Sequence, residues 1–164
     1  MRLDELTDYL ESLAPLDYQE SYDNSGLLVG SPSKEVHQAL LSLDCTEAVV
    51  EEAIELGCDV IISHHPIVFK GLKRFNGNTY VERVVMMAIK HDIALYAIHT
   101  NLDNVMGGVN SKIAERLDLR NTRILSPKAD TLRKLVVFVP LNHVEQVRTA
   151  LFDAGAGAIG NYDS

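Results

Sequence analysis

The sequence has little of what several classes of protein require. It contains two cysteines and no tryptophan in 164 residues. With only Cys45 and Cys58, no disulfide framework of the kind found in small secreted domains is expected, and both thiols are expected to be structural. The start, residues 1–5, has no signal-peptide apolar stretch, and no apolar run approaches the roughly 20 residues that span a bilayer. We therefore expect a cytoplasmic protein without a membrane partner.

Positive charge is also scarce, because 15 basic residues stand against 23 acidic ones, which gives a net charge of −8. Binding to nucleic acid without regard to sequence requires clustered Lys and Arg that neutralise phosphates. The composition therefore argues against a nucleic-acid partner. With 46% hydrophobic residues the chain can bury a core, and its length favours one domain, or one domain with part of another.

What the sequence does contain is an alternation of apolar strands and amphipathic helices. Leucines at helical spacing before Pro15 predict a first helix. The later predicted elements are strands at 39–43, 60–62 and 93–98, and helices at 46–57, 79–90 and 109–117. Strands that alternate with helices pair in parallel and carry helices on both faces of the sheet. The predicted fold class is therefore α/β, with a layered, parallel-type sheet.

A polar break at residues 127–130 divides the chain. Beyond it, the pattern predicts a strand over Leu135–Val139 and a helix over Val144–Phe152. We interpret residues 1–126 as the N-terminal part of an α/β domain and residues 131–164 as the beginning of a second α/β domain. One strand and one helix cannot bury both of their faces alone. This second unit is expected either to dock on the first or to continue in a longer chain.

Two glycine-containing stretches do not predict cofactor loops. The stretch Gly26–Lys34 lacks the Gly-Lys-Ser/Thr ending of a phosphate loop, and we interpret it as a turn. The glycines of residues 155–160 follow a predicted helix, whereas a dinucleotide-binding loop follows a strand. No nucleotide cofactor is therefore expected.

Polar side chains gather where the predicted strands end. The residues that follow the three strands are Asp44, then His64 and His65, then His99 and Asp103. Ligands of open parallel sheets collect beyond the carboxyl ends of the strands. Imidazole and carboxylate groups bind zinc, manganese, iron and nickel. The sequence therefore predicts a metal site whose ligands include His64, His65 and Asp103, and makes residues 1–126 the metal-binding domain.

Adjacent residues of an extended strand point to opposite faces, so a regular strand would not let His64 and His65 chelate one ion. Pro66 marks the end of the strand and favours extended or turn geometry at His65. Our preferred interpretation assigns each histidine to a different ion, with Asp103 as the bridge. Two ions need more ligands than these three side chains provide. The alternative is that the histidines are hydrogen-bonded core residues.

Asp44 and His99 are candidates for holding the ligands in position. A carboxylate at this edge can orient a histidine, but Asp44 is equally suited to capping the helix that follows it. His99 can play a similar role, although packing in the core is favoured for it. The sequence predicts no catalytic residue outside the metal cluster.

Three segments resemble one known family in order and spacing: residues 22–30 (YDNSGLLVG), 63–69 (SHHPIVF) and 97–104 (AIHTNLDN). They closely resemble the GTP cyclohydrolase 1 type 2 homologues, also called the NGG-interacting factor three-like family. In addition, Lys134–Asp163 resembles the opening of a regulatory-type α/β domain that is inserted in the longer members.

This resemblance implies an α/β protein with two divalent transition-metal ions that assembles as a toroidal homohexamer. It places metal ligands at His64, His65 and Asp103. It also implies a histidine and a glutamate from a segment after the inserted domain, which this sequence does not contain, so we expect the chain to be part of a longer protein.

The family label names a cyclohydrolase. The residues themselves predict at most a metal-activated hydroxide that attacks a carbon or phosphorus centre. The first hypothesis is therefore a metal-dependent hydrolase of a nucleotide-like or phosphorylated small molecule, with the substrate unidentified. The alternative is a non-catalytic, metal-stabilised binding or regulatory protein.

Overall fold

The computed structural model of the protein describes residues 1–125 and 135–157. The chain divides into two compact units, Met1–Thr122 and Arg123–Ser164. The strands found in the described residues all lie in the first unit. No helix in these described ranges combines the length and the apolar character that a membrane crossing requires.

A four-stranded sheet forms the centre of the first unit. Its strands are β1 (Gly26–Val29), β2 (Ala39–Ser42), β3 (Val60–Ser63) and β4 (Ala94–Ala97), in the spatial order β1-β4-β3-β2. Strands β2, β3 and β4 pair in parallel, and β1 runs antiparallel to β4. The α/β fold class is confirmed, and the three strands predicted within residues 1–126 agree with β2, β3 and β4 to within one residue at each end.

Strand β1 corrects the interpretation of Gly26–Lys34 as a turn. Leu27 pairs with Tyr96 and Val29 with Leu95 of β4, with an irregularity at Leu28 between them, and only the stretch that follows Gly30 turns away from the sheet. A run of three apolar residues between glycines is short enough to be taken for part of a loop. Its pairing depends on β4, which lies about 70 residues further along the chain.

The helices of the first unit are α1 (Leu3–Leu13), α2 (Glu47–Leu56), α3 (Tyr80–Lys90), α4 (Thr100–Asp103) and α5 (Val109–Arg116). A 3-10 turn at Leu16–Tyr18 follows α1. Helix α2 shows how the sequence sets these bounds. The hydroxyl of Thr46 accepts a hydrogen bond from the backbone N–H of Val49, and Gly57 ends the helix with a left-handed φ of 69°.

The core lies on both faces of the sheet because neighbouring strand residues alternate between them. Val60, Ile62, Ala94 and Tyr96 pack with Leu3 of α1 in one cluster. Ile61 and Leu95 face the other way and pack with residues of α2 and α3: Val50, Ala53, Val84 and Ala88. Cys45 and Cys58 are free and buried in this second cluster, as expected of structural thiols.

In the second unit, helix α6 (Val144–Asp153) follows a 3-10 turn at Leu141–His143 and confirms the predicted helix. The predicted strand Leu135–Val139 is wrong, because this segment forms no strand and Leu135 to Phe138 are largely exposed. A strand requires a partner for its backbone hydrogen bonds, which apolar composition alone does not supply. The rest of the predicted second domain, residues 131–134 and 158–164, lies outside the described residues.

The glycine that follows β1 allows a close approach to β4. Gly30 has a φ of +122°, and a Cβ at this position would lie 2.8 Å from the Cβ of Ala94. Gly30→Ala should therefore lower the free energy of unfolding by about 2 kcal/mol or more, through backbone strain and overpacking.

The matched control is Gly71→Ala, because a Cβ at Gly71 would meet no atom within 4 Å. This variant should change the free energy of unfolding by less than about 0.5 kcal/mol. Urea denaturation of both variants measures the difference, and equal stabilities would contradict the close approach.

Candidate metal centre

Three histidines meet beyond the carboxyl ends of the parallel strands. His64 and His65 follow β3, and His99 follows β4 at the start of α4. One ring nitrogen from each histidine lies within 4.8 Å of the other two. The ring centroids are 5.0 Å apart for His64 and His65, and 5.1 and 5.5 Å from each of these to His99. The structure thus places His99 within the cluster, although the sequence favoured packing in the core for this residue.

The rings converge because the strands are in register. Ser63 at the end of β3 lies opposite Ala97 at the end of β4, so the residues that follow both strands leave the sheet at the same edge. Beyond Ser63 the chain bends, and the backbone N–H groups of His64 and His65 bond to carbonyls of residues 42 and 43. Outside a regular strand, neighbouring side chains need not point to opposite faces. The two adjacent histidines therefore reach the same place.

Each ring is held at Nδ1 by a group that can only accept a hydrogen bond. The Nδ1 atom of His64 lies 2.9 Å from the carbonyl oxygen of Ile98. That of His65 lies 2.7 Å from Asp44 Oδ1, and that of His99 lies 2.9 Å from Asp23 Oδ1. A neutral ring that donates from Nδ1 carries its lone pair on Nε2. This is the arrangement by which outer hydrogen bonds orient metal-binding histidines.

Asp44 makes the hydrogen bond to a histidine that the first of its two predicted roles requires. Its carboxylate bonds to His65, while the neighbouring Thr46 caps α2. The Asp44 side chain is 59% exposed, so the bond that it makes is open to solvent.

Asp23 bonds to the histidine cluster but was not among the residues predicted from the sequence. Its side chain is fully buried. One carboxylate oxygen accepts hydrogen bonds from His99 Nδ1 and the backbone N–H of Asn24, at 2.9 and 2.6 Å. The other accepts from the backbone N–H and the hydroxyl of Thr100 and from the hydroxyl of Ser25.

Burial raises the pKa of Asp23, but the hydrogen bonds from Thr100, His99 and backbone N–H groups outweigh it and lower the pKa to about 2. Asp23 is therefore a carboxylate at neutral pH. It reaches the site because β1 is antiparallel to β4, so the residues before Gly26 lie at the edge where the parallel strands end. The apolar run of β1 between two glycines is the sequence feature from which this strand, and so the placement of Asp23, could have been predicted.

Asp103 is the last residue of α4 and lies beside the histidine cluster. Its Oδ1 atom is 4.0 Å from His64 Nε2, with its side chain one-third exposed. This distance is too long for a hydrogen bond. It does not exceed the roughly 4.2 Å that separates two ligands on opposite sides of a transition-metal ion.

The donor set fits a divalent transition metal. His64, His65 and His99 offer imidazole nitrogens, and Asp103 offers a carboxylate oxygen, which are ligand types of zinc, manganese, iron and nickel. The Nδ1 hydrogen bonds leave Nε2 as the atom for coordination in each ring.

The two carboxylates that hold histidines differ in burial, which predicts different costs of neutralising them. In Asp23→Asn, the new amide group would face N–H and O–H donors inside the protein. The free energy of unfolding should fall by about 3 kcal/mol.

The exposed counterpart, Asp44→Asn, should cost less than about 0.5 kcal/mol, because solvent replaces its bond. Denaturant titrations of the metal-free variants measure both effects. A loss for Asp23→Asn no larger than that for Asp44→Asn would contradict the buried network.

Comparison with known proteins places the chain within one family. The family model described as Duf34/NIF3 (NGG1p interacting factor 3) matches residues 1–164. The chain is 46% identical over 153 residues to the GTP cyclohydrolase 1 type 2 homolog of Halalkalibacterium halodurans, covering 93% of this chain and 41% of that protein. It is 43% identical over 159 residues to the homolog from Bacillus subtilis, covering 96% of this chain and 43% of that protein.

A solved structure, the Bacillus cereus protein related to NIF3, matches with a TM-score of 0.74 and 41% identity, over 99% of this chain and 45% of that one. The chain thus spans less than half the length of these relatives. The resemblance drawn from the three sequence segments is confirmed at the level of the family. Since the family model extends over all 164 residues, the chain belongs to the Duf34/NIF3 family.

Proposed function

We propose that this chain provides part of a dinuclear metal centre in a metal-dependent hydrolase. The observation that carries the proposal is the convergence of His64, His65 and His99, each of which is held at Nδ1 so that Nε2 is left for a metal. His64, His65 and Asp103 would be the ligands from this chain, and His99 is close enough to join them. Asp103 would bridge two ions.

The protein residues have distinct tasks in this centre. The carboxylates of Asp44 and Asp23 orient the rings of His65 and His99 and increase the basicity of Nε2. The carbonyl of Ile98 does the same for His64. When bound, two divalent ions would supply Lewis acidity and lower the pKa of a water molecule.

We propose a nucleotide-like or phosphorylated small molecule as the substrate class. The support is the printed name of the relatives, GTP cyclohydrolase 1 type 2 homolog, which describes those proteins. Because the relatives are more than twice the length of the chain that matches them, further metal ligands are proposed to come from the longer protein. The family resemblance also supports a cytoplasmic homohexamer as the working form.

A second candidate is a non-catalytic protein in which metal ions stabilise a binding or regulatory assembly. It is favoured by the absence of a recognisable nucleophile–base pair outside the metal cluster among the described residues. Both cysteines are buried, and burial raises the pKa of Cys45 to about 11, which keeps its thiol protonated at neutral pH.

Loss of a ligand should weaken metal binding without unfolding the chain. His65→Ala and Asp103→Ala should each reduce the affinity for Zn²⁺ or Mn²⁺ by at least about tenfold, because each removes a direct ligand. Isothermal titration calorimetry and elemental analysis of the purified variants measure affinity and stoichiometry.

The matched control is His91→Ala, since His91 is exposed and lies just before β4, at the opposite edge of the sheet. Its affinity should equal that of the unaltered chain. Full metal occupancy in His65→Ala and Asp103→Ala would refute the assignment of the ligands.

Activity separates the two candidate functions. The metal-loaded protein should hydrolyse at least one member of a panel of nucleotides and phosphoesters in the presence of Mn²⁺ or Zn²⁺, and chelation should abolish turnover. Product release measured by chromatography provides the readout. If the fully metal-loaded protein hydrolyses no compound of the panel, the non-catalytic candidate is favoured.

A further inference from the structure

Two exposed aromatic rings lie beside the histidine cluster. The centroids of Tyr22 and Phe69 are 6.3 Å apart, with an interplanar angle of 48°. Phe69 also lies 6.5 Å from the ring of His99, in an edge-on arrangement of 85°. Tyr22 is 64% exposed and Phe69 is 43% exposed, so neither ring is a core residue. The rings of Tyr22, Phe69 and His99 lie next to one another in that order, as an aromatic surface of mutually tilted rings that ends at the histidine cluster.

The backbone beside both rings is anchored by hydrogen bonds of the neighbouring residues. Tyr22 precedes Asp23, whose buried carboxylate is bound by His99 and Thr100. Phe69 follows Val68, whose carbonyl oxygen accepts a 2.6 Å hydrogen bond from the side-chain amide of Asn24. This bond joins the two loops that carry the rings. The loops that carry the aromatic pair are therefore held together before any ligand binds.

We propose that Tyr22 and Phe69 form a stacking surface for a planar aromatic ring of the substrate. This inference rests on the proposed function, and it narrows the substrate class to compounds in which a flat conjugated ring carries the group that reacts at the metal centre. A planar ring removes exposed apolar area from both side chains at once and gains favourable aromatic contacts. Such stacking tolerates many ring types, because every planar conjugated ring offers a π-face.

The substrate ring stacked on Phe69 would lie close to the proposed metal ligands, where the reacting group of the substrate is expected. Phe69 contacts His99, and His99 lies 5.1 Å from His64 and 5.5 Å from His65 between ring centroids. A substituent on a ring stacked against Phe69 is thus about one side chain away from the proposed ligands. Tyr22 and Phe69 act in this scheme as residues that determine specificity and take no part in bond breaking.

The test uses a neutral probe, because the exposed carboxylates of Asp44 and Asp103 would bias the binding of a charged one to metal-free protein. The probe is 2-naphthol, and its saturated analogue decahydro-2-naphthol has the same hydroxyl group and carbon skeleton without the flat ring. Titration of the isotope-labelled, metal-free chain by NMR measures both. The aromatic probe should bind at least about fivefold more tightly and shift the resonances of Tyr22, Phe69 and His99.

Variants locate the contact. Phe69→Leu and Tyr22→Leu keep an apolar side chain and remove the ring, and each should weaken the binding of 2-naphthol by about tenfold. The control is Phe75→Leu, because Phe75 is 55% exposed and lines a separate apolar groove with Leu28 and Val85. This control should bind the probe as the unaltered chain does.

The outcomes separate this inference from the proposed function. Zn²⁺ titrations of Phe69→Leu and Tyr22→Leu should give the affinity of the unaltered chain, since neither ring is a ligand. If the unaltered chain binds no Zn²⁺, the proposed function is contradicted, whether or not 2-naphthol binds. Equal binding of the two probes, or shifts confined to residues away from Tyr22 and Phe69, would overturn the stacking surface even if Zn²⁺ binds.

Discussion

The site depends on the in-register parallel pairing of β3 and β4. Because Ser63 lies opposite Ala97, the residues that follow both strands emerge together, and the carbonyl of Ile98 comes within 2.9 Å of His64 Nδ1. A slip of one residue would exchange the faces of a strand and remove these pairs. The antiparallel pairing of β1 with β4 completes the edge, since it brings the residues before Gly26, including Asp23, to the point where β4 ends.

The acceptors that hold the histidines differ in how firmly they do so. The carboxylate of Asp23 is buried, receives several hydrogen bonds and has a pKa lowered to about 2, so it keeps its charge and its geometry. Asp44 is largely exposed, and its bond to His65 competes with water. The β4 side of the cluster is therefore the rigid side, and the aromatic surface is attached to it through Asp23 and His99. When the metal-binding side chains are already held in place, less conformational entropy is lost as the metal binds.

Much of the fold follows from local pattern, and less of the site does. The alternation of apolar strands and helices predicted three strands and their helices, and the residues after β3 identified His64 and His65. The strand predicted at Leu135–Val139 failed because β propensity depends on a partner strand. Asp23 was missed because β1 was interpreted as a turn. His99 was named as a candidate, but core packing was favoured for it, because its contact with Asp23 depends on that same strand. The bridging role of Asp103 and the hexamer stay predictions.

The proposed metal centre is tested most directly by finding which ring nitrogen of each histidine carries hydrogen in the metal-free chain. Long-range ¹H–¹⁵N NMR at mildly alkaline pH measures this. We expect His64, His65 and His99 to carry hydrogen on Nδ1 and none on Nε2, with exposed His91 as the reference. Addition of Zn²⁺ should then shift the Nε2 signals of the cluster and leave those of His91 unchanged. Hydrogen on Nε2 in the three rings, or no response of these atoms to Zn²⁺, would contradict the proposed metal centre.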